Sequence, residues 1–134
     1  MDFNTLIGDI EGLTGKTLNS INLGCEITIE YVDRDNGSIR LRTPSGQSKS
    51  RPFSEIKTLW TALTTMPIVH VEGALHGSGS SRNQPETILA NLPYIEWLRY
   101  DRKKHIAFVG RKTHALGTLR QMSPQDVAQI KAQI

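Results

Sequence analysis

Nine consecutive residues, His76-Gly-Ser-Gly-Ser-Ser-Arg-Asn-Gln84, carry no apolar side chain. A run of that kind has no face to bury, so it must connect two elements rather than belong to one. Before it lies the apolar stretch Ile68–Leu75 and after it Pro85–Leu92. The order predicts a strand over 68–75, a glycine- and serine-rich loop, and a helix from about Gln84 to Asn91. Asn83 and Glu86 have capping-box spacing, and Pro93 stops the helix. The loop brings small donors and Arg82 to a helix N-terminus, whose free N–H groups attract anions.

The flanking sequence is punctuated in the same way. Phe3, Leu6, Ile7 and Ile10 repeat at helical spacing behind Asp2, a cap residue, with Gly15 as the stop. Two strand-like runs, Glu26–Val32 and Ser38–Thr43, surround Asp33-Arg-Asp-Asn-Gly37. A five-residue loop over 33–37 pairs Tyr31 with Ile39 and Ile29 with Leu41, which separates the apolar from the charged face. Thr43–Ser50 reads as a loop. Arg51-Pro52 opens a helix whose stripe is Ile56, Leu59, Trp60 and Leu63, ended by Pro67. A second hairpin, Tyr94–Tyr100 and His105–Val109, pairs Trp97 with Phe108 and leaves Asp101–Lys104 at its tip. Ser123-Pro-Gln-Asp126 is a capping box that starts a short helix burying Val127, Ile130 and Ile134.

These elements make an α+β chain: a small antiparallel sheet of hairpins with three to four helices. At 134 residues the expectation is a single domain, 1–134. It divides into an acidic helix-plus-hairpin subregion, 1–50, and a basic subregion, 51–134. One cysteine, Cys25, excludes an internal disulfide and fits a cytoplasmic setting. No run is long and apolar enough for a membrane span, and the acidic start is unlike a secretory signal.

The formal charge of +3 conceals a strong asymmetry. Residues 1–36 hold seven acids and two bases, whereas 37–134 hold fourteen bases and six acids. Segregated charge makes a field on one side of a molecule, the footprint of a polyanion partner. The basic residues gather at Arg102, Lys103 and Lys104 on the hairpin tip, and at Arg82 with Ser78, Ser80, Ser81, Asn83 and Gln84. Arg111, Lys112 and Arg120 follow in the next loop, and Ser48, Lys49 and Arg51 in an earlier one. Lysine follows phosphates, whereas Arg82, Asn83 and Gln84 have the donor and acceptor geometry that reads base edges.

From Arg51 onward the order is helix, strand, connector, helix, strand, basic tip, strand, which resembles a winged helix. The resemblance implies a recognition helix over 81–92 and a wing at 101–104. Glycine in the connector 76–81 departs from it, since a second helix belongs there. The hairpin and loop composition is similar to that of DNA-binding parts of prokaryotic regulators and restriction-type proteins. The expected function is therefore a non-catalytic nucleic-acid-binding domain, duplex DNA favoured, in a prokaryotic regulatory or defence system. No cofactor or metal is expected. One alternative is a small metal-dependent nuclease or hydrolase, with His70 and Glu72 on one strand face and His76 beyond. Another is a protein-interaction domain whose acidic N-terminal third meets a basic partner. Gly77-Ser-Gly79 lacks the spacing of a nucleotide-binding loop.

Overall fold

The computed structural model describes residues 1–75 and 82–134. Helix α1 (Phe3–Glu11) begins where the sequence places it: the Asp2 carboxylate accepts the Thr5 N–H at 2.8 Å, and Leu6, Ile7 and Ile10 are buried. The chain turns through Gly12 into β1 (Thr17–Leu18) and then builds a meander of β2 (Ile27–Asp33), β3 (Ser38–Arg42) and β4 (Ser48–Pro52). The sheet order is β1-β2-β3-β4, all antiparallel. Ser48–Pro52 is thus an edge strand rather than part of a loop, and its Ser, Lys, Arg and Pro residues suit an open edge.

The β2–β3 hairpin departs from the five-residue loop. Asp33 pairs with Ser38, Val32 with Ile39 and Tyr31 with Arg40, while Ile29 still pairs with Leu41. The mismatch is absorbed by a bulge between Ile29 and Tyr31, one residue against none on the partner strand. It places Ile27, Ile29, Ile39 and Leu41 in the core and leaves Tyr31 49% exposed. The tighter turn is held by Asp33, whose carboxylate accepts both the backbone and side-chain N–H of Asn36, and Gly37 supplies a φ of +64°.

Helix α2 (Phe53–Thr65) buries Ile56, Leu59, Trp60 and Leu63. Where an extended strand over 68–75 was expected, only Val69 pairs, in an antiparallel bridge with Ile106; the chain then coils into the short α3 (Val71–Ala74). Val71 and Leu75, four residues apart, are both buried, so the run follows helical rather than alternating spacing. Helix α4 (Asn83–Ala90) leads into the hairpin of β5 (Ile95–Tyr100) and β6 (Lys103–Phe108), and α5 (Pro124–Lys131) closes the described chain.

The β5–β6 register puts Tyr100 opposite Lys103 and Trp97 opposite Ile106. That is a slip of two residues from the expected pairing, which keeps every side chain on its expected face. The slip shortens the tip to Asp101-Arg102. Beyond the hairpin, Trp97 N–H donates to the Arg120 carbonyl and Met122 N–H to the Trp97 carbonyl, so residues 120–122 run alongside β5. Val69 flanks β6 on the other side, giving the lateral order 121, β5, β6, 69.

One buried cluster draws on both subregions, from Leu6, Ile10 and Ile29 to Leu89, Ile95 and Ile106. At its centre Trp60 packs edge-on to Phe108 at 5.0 Å and tilted to Tyr94 at 6.3 Å. A smaller cluster of Leu98, Ala107 and Met122 lies beneath Val127 and Ile130 of α5, where the Ser123 hydroxyl caps the helix by accepting the Asp126 N–H. Ile134, in contrast, is exposed. Among the described residues no helix is long and apolar enough to cross a membrane.

The Tyr94 hydroxyl donates to Asp9 of α1 at 2.8 Å, and burial beside that carboxylate pushes the phenol far above its ordinary range. Tyr94→Phe is therefore expected to destabilise by about 1–2 kcal/mol in urea unfolding, because the partner in the α1 contact is lost while the ring stays packed.

Candidate nucleic-acid interface

The basic residues singled out in the sequence meet three different fates. The first is commitment to a buried or half-buried carboxylate. Lys104 Nζ lies 2.8 Å from Glu86 of α4, with the carboxylate side chain only 2% exposed. Burial pushes the Glu86 carboxyl above its ordinary value, and Lys104 pulls it part of the way back. Arg51, on β4, likewise lies 2.7 Å from Glu55 one turn into α2. Neither cation is available to a phosphate without leaving its partner behind.

The second fate is burial. The resemblance to a winged helix implies that α4 lies in a DNA groove, and such a helix needs an exposed face. Here Gln84, Pro85, Glu86, Thr87, Ile88, Leu89 and Ala90 are all buried. Gln84, at 5% exposed, cannot meet a base edge. Nor does Asn83 cap the helix: it is already helical, Arg82 occupies the cap position without a side-chain cap bond, and the Asn83 carbonyl accepts the Thr87 hydroxyl. Glu86 is drawn to Lys104 instead of folding back to complete a capping box. The Arg82 guanidinium donates to the Glu72 carbonyl at 3.2 Å.

The third fate is exposure. Arg102 and Lys103 stand at the hairpin tip, Arg111 and Lys112 in the loop after β6, and Lys49 on the β4 edge. These do not form one cluster. Lys103 begins β6, and the loop holding Arg111 follows its other end, about 16 Å away for a strand of this length. Lys49 belongs to the other sheet.

What the structure does bring together is one end of the second sheet. The Glu86–Lys104 pair ties the first half of α4 to the start of β6, so Arg82 and Asn83 lie at the same end as the tip. At the tip, Asp101 and Arg102 have φ values of 52° and 63°, the backbone of a type I′ turn, which normally takes Asn-Gly. Two successive non-glycine residues in this region carry strain, and the Tyr100–Lys103 pairing that closes the turn holds Arg102 at the apex against it.

Next to the tip, the His105 and His70 ring centroids are 5.3 Å apart, and Tyr100 meets the His105 ring edge-on at 5.6 Å. His70 precedes α3 and is not on a strand face with Glu72, as had been expected; Glu72 sits exposed in the first turn of that helix. Burial, then His105 and Lys103, hold the His70 imidazole below its ordinary value. Sequence patterning missed this histidine pair, because its members are joined by the Val69–Ile106 bridge and not by spacing along the chain.

Among the described residues, no three His, Cys, Asp or Glu side chains converge as a metal site. His76, Ser78, Ser80, Ser81 and the 76–81 connector lie outside the described residues. Several acids of the N-terminal third are engaged within the protein: Glu11 with Arg34 at 2.7 Å, Glu30 with Arg42 at 2.9 Å and with Ser48, and Asp9 with Tyr94. Arg99 and Lys131, which the sequence reading did not single out, line a groove of about 560 Å³ between β5 and α5, over Leu98 and Met122. No protein-family model matches the chain, and no curated protein or solved structure matches it significantly.

The buried pair provides a test of this arrangement. A carboxyl whose folded value lies above its unfolded one contributes stability that is fully present below the ordinary 4.5 and is lost as pH rises through the folded value. Lys104→Met removes the group that favours the carboxylate, so it should cost about 3–5 kcal/mol at pH 7.5 and clearly less at pH 5. Adding Glu86→Gln should recover most of the loss. Equal urea midpoints for Lys104→Met at the two pH values would mean that residue 86 carries no buried charge.

Proposed function

We propose that this chain binds nucleic acid, duplex DNA in preference, through the 101–103 tip and the adjoining start of α4. The observation that carries this reading is the placement of Arg102 and Lys103, both exposed, at the end of the sheet to which the Glu86–Lys104 pair draws the N-terminus of α4. A projecting hairpin with cations at its apex suits a phosphate backbone, and a rigid type I′ turn holds them there at low entropic cost. The lateral order β5, β6, 69 and the helix–bridge–helix–helix–hairpin succession support a winged-helix-like arrangement. Because α4 is buried, this reading puts the contact at the tip and the helix start rather than along a helix laid in the groove. Contacts of this kind are dominated by phosphate, so affinity exceeds sequence selectivity.

The reading is tested by salt-dependent anisotropy on labelled duplexes. Arg102→Ala with Lys103→Ala should make the log–log salt slope shallower by up to about two units, with little change in preference between sequences. An unaltered slope removes the tip from the interface.

Arg102→Gly separates binding from folding. Relief of the left-handed backbone should raise stability by about 1 kcal/mol, while loss of the cation weakens DNA binding. A variant that is both more stable and equally tight in binding would assign Arg102 no role in contact.

A further inference from the structure

We propose that His70, packed against His105, is a proton-operated part of this interface: DNA at the tip draws a proton onto His70, so affinity rises as pH falls below neutrality. The inference rests on the tip being the DNA contact. Its basis is geometric. Two imidazoles face one another at 5.3 Å, beside the Val69–Ile106 bridge, with His105 8% exposed and His70 half-buried.

The tautomer of His105 follows from its partner. Its Nδ1 lies 2.9 Å from the Lys103 carbonyl, which can only accept, so Nδ1 carries the hydrogen and Nε2 the lone pair. The same hydrogen bond ties the ring to the backbone of Lys103, one residue from the Arg102 apex. His105 therefore links the His70 ring, 5.3 Å away, to the backbone of the tip.

The groups around the pair decide its charge. From β6 come Lys103 and Lys104, from β5 the Tyr100 ring, from α3 the Glu72 carboxylate, and from α4 Glu86, which is held by Lys104. Lys103, Lys104 and the opposing imidazole all disfavour a proton on His70, and Glu72 alone of these favours it. Burial and these cations together favour the neutral form of His70 in the free protein. A phosphate seated on Arg102 and Lys103 reverses the balance: it screens the cations and adds a negative charge, so the form with His70 protonated becomes the tighter-binding one. Gly73 contributes space, since a Cβ there would come within 3.2 Å of His70 Nδ1.

Affinity for one labelled duplex is measured at pH 7.5 and 5.5 at fixed ionic strength, for the parent and for His70→Gln. Duplex phosphates stay ionised over this range. Uptake of one proton makes the parent about tenfold tighter per pH unit at the steepest part of the curve. The ratio of the two affinities should be large in the parent and should collapse toward one in His70→Gln; His76 and His114, kept in both proteins, cancel in that comparison. A parent ratio near one, or an equal ratio in the variant, overturns the histidine role while leaving DNA binding in place. A parent that binds no duplex at either pH overturns the DNA reading, and this inference with it. Proton NMR of the parent gives a second readout, in which the His70 midpoint should move up when duplex is added; an unmoved midpoint also overturns the proposal.

Discussion

Helix α4 is enclosed on every side, and that enclosure is the constraint around which the other elements are arranged. Apolar burial supplies most of the driving force but has no direction. Position is set by the polar groups that α4 carries into the interior. Asn91, just past its end, donates from its side-chain amide to the carbonyls of Thr87 and Asn19, and its own carbonyl accepts from Gly117. Glu86 meets Lys104 on β6. A single helix therefore fixes the loop after β1, the start of β6 and the segment after residue 113. Each such bond is costly to leave unmade in a low-dielectric interior, so the set specifies one arrangement more sharply than packing alone can.

How much of this was legible in the chain depended on whether a rule was local. The Asp2 cap, the stripe of α1, the stripe of α2 and the Ser123 N-cap involve residues within one or two turns, and each was readable. The β5–β6 faces were readable too, although the turn was not: nothing in Asp101-Arg102 resembles the Asn-Gly dipeptide that a two-residue connection favours. The bulge at Glu30 was hidden for a different reason. Glu30 and Tyr31 are both tolerable on a solvent face, so alternation gave no sign that one of them was extra. At 68–75 a β-branched run read as a strand, and the tertiary bridge of Val69 alone to Ile106 left the rest free to coil.

The candidate site shows the same division between type and partner. That Lys104, Arg51 and Arg102 are cations is plain from the letters; that the first two face carboxylates and the third faces water is a property of the fold. Glu86 and Lys104 are separated by the whole of β5 and its turn, beyond the reach of any spacing rule. The polar residues of α4 misled for a related reason, since Gln84 and Glu86 in a short helix look solvent-exposed until the surrounding elements are placed.

The two sheets also differ in how far along the chain their partners lie. Strands β2, β3 and β4 follow one another through short turns, so each pairing closes a small loop at little entropic cost. The second sheet joins β5 and β6 locally, but its flanks come from Val69, on the far side of α3 and α4, and from residues 120–122. Large loops must close before those contacts are rewarded. The meander and the β5–β6 hairpin thus close at low entropic cost, whereas the flanks beside the histidines carry the large loops. The histidine end is therefore tied to the rest of the second sheet by single bridges, Val69 to Ile106 on one side and Trp97 to Gln121 on the other, instead of by a full ladder.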